Sequence, residues 1–475
     1  MVAVVVWKSN RRRVAIAVVL TAVFMANIDL WIVNVALVTM QRDIGGSLAA
    51  FSWVLNAYAV TLAALLVPAG RLGDRIGHRH VFLAGIGLFT AASAVCALSP
   101  NVGVLVAARI AQAAGAAAQL PTSLALVVAA VEPRQRMSAA RGWAATGGLA
   151  AAAAPALGGA LVLGSWRWVF LVNLPIGITA WLAGRRVLPR PSADRREPLP
   201  DLLGSALLIA AVGALTGFFV EGPAWGWAAP GTLALLAVAL VASTGFAWRC
   251  RIHPHPMIEP ALLRLRRFSA ANAAAFLFSV AFGIMLLSNS LWCQTVWHYS
   301  ALRTGLAMIP GPTLVPVVTL ASSRLVHRIG PGPVAAAGSL LFAVSQLWRS
   351  LFAGTHPDYL RDLLPSMLIS GVGVGLALST LVGAAATALP GNRSATASAV
   401  VNSVRQVASA LGVAVLVTML DAADTAEAGF KLGWDVALVL ALLAAAVSLF
   451  LGPPPATEQH GGLAAAPPAT TADPR

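Results

Sequence analysis

The chain has 475 residues, 58% of them apolar and only 10% charged, with 32 Lys and Arg against 17 Asp and Glu for a formal net charge of +15. Soluble globular proteins carry about 25% charged residues, so a chain with a mean hydropathy of +0.80 lacks the polar surface to coat itself in water and uses lipid as part of its solvent. Its three cysteines (Cys96, Cys250, Cys293) are far apart, which excludes a disulfide framework and a cysteine-rich zinc site.

In chain order, fourteen apolar runs approach or reach the roughly 17–25 residues needed to cross a bilayer. They are Val14–Leu37, Ala49–Ala69, Val81–Leu98, Val102–Val128, Met137–Leu163, Trp168–Val187, Leu202–Val220, Thr232–Phe246, Ala270–Trp292, Gly305–Ala321, Val334–Phe352, Leu363–Ala388, Ala395–Leu420 and Val436–Leu451. Each is predicted to be a helix, because a single span satisfies its own backbone in lipid only as a helix. The first run is too long for a signal-peptide core and reads as an uncleaved anchor. With the N-terminus inside, inner loops and tails hold 24 Lys and Arg. Outer loops hold six: Arg42, Arg167, Arg303, Arg349, Arg361 and Lys431. This bias predicts cytoplasmic termini and accounts for the net charge through anionic inner-leaflet lipid, without nucleic acid. Arg outnumbers Lys 30 to 2, a composition that suggests a bacterium with a GC-rich genome. Trp7, Trp53, Trp166, Trp168, Trp292 and Trp434 fall near span boundaries, as in an aromatic belt.

"RLGDRIGHR" (71–79) lines up with "RLVHRIGPG" (324–332), each after the second run of a six-run set. That is the mark of a parallel internal repeat. The predicted organisation is a six-helix bundle over 1–187, a linker with two extra membrane helices over 188–268, a second six-helix bundle over 269–452 and a disordered cytoplasmic tail over 453–475. The joints "RRVLPRPSADRREPLPD" (185–201) and "RCRIHPHPMIEPALLRLRR" (249–267) are rich in Pro and Arg.

A charge at a helix centre costs about 2.5–3.5 kcal/mol on insertion scales, so one that is retained has a reason. Asp29 is the only acid well inside an apolar run, and Arg109 and Arg405 are the cations there. At 1.5 Å per residue, Asp29 and Arg109 both lie roughly 10–12 Å below the outer surface, a shared depth that permits an ion pair or a water-linked pair. Polar stripes accompany them: Arg109, Gln112, Ala116, Gln119 and Ser123 on the fourth run, Ser394, Ser398, Asn402, Arg405 and Ser409 on the thirteenth, and Asn27 and Asn34 flanking Trp31 on the first. Such stripes line a water-filled cavity or bond neighbouring helices, and for any single Ser the second reading is the more economical. Trp31 lies deep enough to touch a flat lipophilic substrate.

The turn after the second run packs Arg71, Asp74, Arg75, His78, Arg79 and His80 between Gly70 and His80. Gly70 and Gly77 are expected to let the chain reverse there. Gly70, Asp74, Arg75, Gly77 and Arg79 are expected to form an inner-surface clamp between the two bundles, a two-state element of a familiar kind. His78 would make it pH-sensitive, and His327, where the repeat has Asp74, would make it asymmetric. A solvated basic loop that only sets topology explains the arginines but not Asp74 or the glycines.

"GRLGDRIGHR" resembles the signature Gly-x-Leu-x-Asp-Arg-x-Gly-Arg-Lys of the major facilitator superfamily, matching at Gly70, Leu72, Asp74, Arg75 and Gly77. "DLWIVNVAL" (29–37), "RIAQAAGAAA" (109–118), "GGLAAAAAPALGGAL" (147–161), "QTVWHYSALRTGLAMIP" (294–310) and "ASAVVNSVRQVASALGVA" (397–414) are similar to motifs of its 14-helix drug:proton antiporter branch, with Trp31 in place of the usual Thr. The resemblance implies an all-α membrane protein of two six-helix bundles plus two inserted helices. It also implies a proton-coupled antiporter in the cytoplasmic membrane that exports lipophilic drugs or antibiotics by alternating access. On that reading Asp29 exchanges the coupling proton and Arg109 tunes it, since a change in their separation changes proton affinity. A permanent structural salt bridge is the plainer alternative. Gly147, Gly148, Pro155, Gly158 and Gly159 form the antiporter motif that seals the halves, a composition that tight static packing shares. Asn27, Trp31, Asn34, Gln112, Gln119, Asn402 and Arg405 are candidates to line the substrate cavity. An importer or a lipid or metabolite transporter on the same fold is the alternative function. The expected partners are a small-molecule substrate, protons and membrane lipids, with no cofactor or metal, and the chain is expected to act as a monomer. A membrane enzyme or receptor is a third reading, but no HExxH, no P-loop and no Gly-x-Ser-x-Gly elbow with partners occurs, so no enzyme is expected; neither Lys8 nor Lys431 follows a Gly-rich turn, which excludes an ATP-driven pump within this chain.

Overall fold

The computed structural model of the chain describes residues 2–132, 135–189, 200–388 and 394–452. The expected tail over 453–475 and the middle of the 185–201 joint lie outside the described residues, which contain no strand. The helices are α1 (Val2–Ile44), α2 (Leu48–Ile76), α3 (His78–Ala97), α4 (Val102–Ala129), α5 (Arg136–Val162), α6 (Trp168–Leu171), α7 (Asn173–Val187), α8 (Leu202–Trp225), α9 (Pro230–Ile252), α10 (Pro260–Leu263), α11 (Arg266–Leu291), α12 (Ala301–Ala307), α13 (Pro310–Ile329), α14 (Pro331–Phe352), α15 (Leu364–Thr387), α16 (Ser394–Ala422) and α17 (Ala426–Ser448). They make 14 spans long and apolar enough to cross a membrane. Several spans are composite: α6 with α7, α12 with α13, and α15 with the π-helical turn Tyr359–Leu363. The short eighth run lengthens to α9, which starts on Pro230 at its first turn. The oxygens of Ser47, Asn101 and Asp201 accept from the first-turn amides of α2, α4 and α8, satisfying donors that helix geometry leaves orphaned.

The internal repeat is visible as geometry. α2 passes into α3 through the single residue Gly77 (φ 98), and α13 passes into α14 through Gly330 (φ 87). Both need a left-handed backbone that favours glycine. The α3–α4 crossing is equally matched: a Cβ on Gly85 would stand 2.8 Å from the Gly115 carbonyl oxygen, and one on Gly338 would stand 2.8 Å from that of Gly373, between α14 and α15. Only hydrogen at these positions lets the backbones approach so closely.

This geometry corrects the expected role of Gly70. It lies inside α2, where a Cβ would meet Pro121 of α4 at 3.5 Å, and Gly77 alone makes the reversal. Arg349 is a second correction. It belongs to α14 and is 1% exposed, so it is not an outer-loop residue. The aromatic belt is thinner than expected, because Trp166, Trp292 and Trp434 are buried and the last two pack together with Phe430.

α9 packs along α8, and α8 lies against both α2 and α16, with Thr418 donating to the Phe219 carbonyl at 2.6 Å. The inserted pair therefore flanks the seam where α2 meets α16, itself closed by Ser403 donating to the Ala63 carbonyl at 2.8 Å.

Candidate functional site

Asp29 of α1 and Arg109 of α4 meet. The Arg109 Nη1 donates to Asp29 Oδ2 at 2.5 Å, and the two residues are 0% and 1% exposed. Asp29 Oδ1 accepts from Gln112 Nε2 and from Asn173 Nδ2 of α7, each at 2.9 Å. Gln112 also donates to Ser93 Oγ of α3 at 2.8 Å and accepts from Arg109 Nη1 at 2.6 Å. Arg109 Nε reaches the Val54 carbonyl of α2 at 3.2 Å, and its guanidinium lies 3.9 Å from the centre of the Tyr58 ring. One carboxylate thus ties together residues from five helices of the first half. A buried ion pair repays its desolvation only when the remaining donors and acceptors are satisfied, and here the surrounding amides and hydroxyl do that. Asn173, Ser93 and Tyr58 escape a sequence reading, because neutral polar residues in apolar runs are common and carry no charge signal.

Beside this network lies a central cavity of about 190 Å³ between the halves. Trp31, Asn34, Gly148, Pro155 and Arg405 line it, together with Phe282, Met285, Asn289, Met308, Val315, Met367 and Ser370. Asp29 does not line it. Arg109 borders a smaller recess that shares Trp31, Asn34 and Leu286 with the cavity. The other cavity candidates lie off it. Gln112 belongs to the Asp29 network. Gln119 donates to the Gly85 and Gly115 carbonyls at 3.3 Å and holds α3 to α4, which corrects its expected place on a cavity stripe. Asn27 donates to the Val23 carbonyl at 2.8 Å. Asn402 donates to the Ser398 carbonyl at 2.8 Å and accepts from Arg405 Nη1 at 3.1 Å, so it positions the cavity's arginine.

The glycines of α5 form a seam. A Cβ on Gly158 would lie 2.8 Å from Ile32 Cγ1 of α1, and one on Gly159 2.6 Å from the Ala301 carbonyl oxygen of α12. Facing them, a Cβ on Gly305 would lie 2.1 Å from the Pro155 carbonyl oxygen. At the same end Ser290 donates to the Asn34 carbonyl at 2.8 Å, and Gln294 to that of Val35 at 3.0 Å. Toward the Gly77 end α5 and α13 part: a Cβ on Gly148 would find only Pro316, at 4.0 Å, and one on Gly142 nothing within 4 Å. Gly147 lies next to Asn27. The α5 glycines are in close backbone contact with the second half at one end of the seam, and that contact loosens toward the other.

Around Gly77, most of the described polar contacts stay close to the turn or within the first half. Asp74 pairs with His78 Nε2 at 3.2 Å along the same turn. Arg79 donates to the Arg185 carbonyl of α7 at 2.6 Å, within the first half. Arg75 lies in the last turn of α2. Arg71 reaches furthest, donating to the His255 and Pro256 carbonyls at 2.7 and 2.9 Å, in the segment after the inserted pair. His327 is exposed at the end of α13. Arg349, which the sequence reading put in a loop, donates to Ser366 Oγ at 2.9 Å and to Asn289 Oδ1. Asp362 lines the same small recess.

A family model described as Major Facilitator Superfamily matches residues 19–413. The chain is 35% identical over 402 residues to the Multidrug resistance protein Stp of Mycobacterium tuberculosis, covering 84% of this chain and 74% of that one. It is 31% identical over 399 residues to the Tetracenomycin C resistance and export protein of Streptomyces glaucescens, with coverage of 84% and 74%. Among solved structures it is similar to a peptide transporter POT in complex with sulfate, with a TM-score of 0.68 over 92% of this chain and 94% of that one; at 18% identity this likeness concerns the fold alone.

Proposed function

The chain belongs to the major facilitator superfamily, a transporter in the membrane and not an enzyme, and on that premise we propose that it is a proton-coupled antiporter exporting lipophilic drugs, antibiotics or related small molecules across the cytoplasmic membrane. Residues 1–187 and 269–452 are the two bundles that rock about the cavity, and 188–268 carry the inserted pair. Both termini face the cytoplasm, and the protein works as a monomer, its basic loops against anionic lipid. The names of the relatives, multidrug resistance and antibiotic resistance and export, support the outward direction.

The observation that carries the proposal is the buried Asp29–Arg109 pair beside a cavity that it does not line. In this conformation Asp29 is wholly enclosed and engaged by three donors. Its proton chemistry therefore belongs to a second conformation, in which the halves part at the α5–α12 seam and the pair loosens. A proton arriving on Asp29 from outside releases the Arg109 guanidinium toward the recess that shares Trp31 and Asn34 with the cavity. The moved side chain takes up space at the edge of the substrate cavity, which disfavours retained substrate. When the seam closes, Arg109 returns to Asp29 and the proton leaves toward the cytoplasm. Binding of substrate and of proton are then coupled through one two-state element. Asp74, Arg75 and Arg79 brace the Gly77 end in the alternate state.

The test is uptake of a lipophilic dye into everted membrane vesicles. Energised uptake that collapses with a protonophore and is lost in Asp29→Asn supports the proposal. Uptake that survives the protonophore, or is unaffected by Asp29→Asn, refutes it.

A further inference from the structure

The central cavity holds one full charge, and it is positive. Arg405 is the sole ionisable side chain among the residues lining it, and no Asp, Glu or His is among them. Its Nη1 is held by Asn402 at 3.1 Å, while its Nε is buried with no hydrogen-bond partner among the described residues. A guanidinium offers five donors in a fixed fork that matches a carboxylate, and here only one acceptor is supplied. Asp29 offers no compensation, because it is already bound to Arg109. Around the cation the walls are apolar and broad: Trp31, Phe282, Met285, Met308 and Val315. Such a wall suits a flat or aliphatic body, and the unsatisfied fork suits an acceptor group.

We propose that the transported substrate is an amphiphile carrying one anionic group, a carboxylate or an acidic enol or phenol, which Arg405 binds while its lipophilic body packs against Trp31 and Phe282. The inference rests on the export reading for its direction but concerns recognition, which binding alone can test. A lipophilic cation would meet an unpaired positive charge in a water-poor cavity with no carboxylate to answer it, and it is disfavoured. Export of an anion in exchange for an entering proton moves charge in the same sense on both legs. The inside-negative membrane potential therefore drives the whole cycle, whereas exchange of a monovalent cation for a proton gains nothing from it.

The experiment uses three probes with one ring system: 9-anthracenecarboxylate, neutral 9-anthracenemethanol and cationic 9-(aminomethyl)anthracene. Each is titrated against the purified full-length protein by quenching of tryptophan fluorescence, and each is followed into everted vesicles. The wild type should bind the carboxylate about 10- to 100-fold more tightly than the alcohol, the range of a charge-assisted hydrogen bond, and the amine least. Arg405→Gln should erase that preference while leaving the alcohol's affinity unchanged, and Arg405→Lys should retain most of it. A wild type that binds the amine as well as the carboxylate overturns the inference, as does an equal loss for all three probes in Arg405→Gln. If Arg405→Gln fails to fold, the wild-type order of the three probes decides. Failure of the vesicles to take up any probe counts against export, while the titration still decides whether the site prefers an anion.

Discussion

Closure at the α5–α12 seam depends on the missing side chain of Gly305. In Gly305→Ala the new Cβ would lie 2.1 Å from the Pro155 carbonyl oxygen and 2.9 Å from the carbonyl carbon, both backbone atoms that no rotamer change can move. Restoring ordinary contact requires the two helices to separate by about 1 Å, an overpacking that costs about 1–3 kcal/mol. The cost falls only on the conformation described here, so the closed population drops about 5- to 150-fold. Spin labels on Leu163 and Leu360, exposed positions on opposite halves beyond the shut end, report the change as a distance. The three native cysteines are buried and free, so they compete little for label. The expected outcome is a longer, broader distance distribution in Gly305→Ala, with slowed export. Gly383→Ala, where a Cβ finds nothing within 4 Å, should match the wild type. An unchanged distribution and unchanged export in Gly305→Ala would refute the claim that this seam opens and closes.

Other substitutions separate gating from stability. Gln294→Ala removes the bonds to the Val35 carbonyl and Ser290 and, at a cost of about 1 kcal/mol per bond, should lengthen the same distance modestly; an unchanged distance would show that these bonds do not hold the seam shut. Asp74→Asn removes the carboxylate that contacts His78 and should lower export turnover at unchanged membrane insertion; full turnover at normal expression would reduce the Gly77 turn to a topology signal. Arg349 is a buried cation held by Ser366 and Asn289, in no ion pair among the described residues although Asp362 lines the same recess. Replacing a buried ionic group by an apolar one of similar volume is often neutral or stabilising, so Arg349→Met should leave the thermal midpoint unchanged or raise it, and a marked fall would show that the cation is required for folding.

The membrane spans were legible because each apolar run must satisfy its own backbone, and the repeat because Gly77 and Gly330 make the same one-residue turn from similar sequences. The Asp29–Arg109 contact was legible from depth alone, since lipid makes two lone opposite charges informative. What escaped is instructive in the same terms. Gly70 reads like turn chemistry, yet α2 continues through it to Ile76 and places it against Pro121 of α4. Arg349 was counted with the outer loops because charges mark span ends, although its run reaches Phe352, and α14 buries it. Gln112 and Gln119 share a helix face with Arg109 but turn to α1 and α3 instead of the cavity, a distinction that periodicity on one helix does not contain. Asn173 and Ser93 complete the Asp29 network from helices far apart in sequence, and only tertiary packing reveals them.

The central claim, that Asp29 carries the proton exchanged for substrate, is tested most directly by proton flux in proteoliposomes loaded with a pH-sensitive dye. An imposed gradient of a transported lipophilic compound should drive protons in the opposite direction through the wild type and none through Asp29→Asn. Proton counterflow at the wild-type rate in Asp29→Asn, or compound crossing through the wild type with no proton movement, would contradict the account.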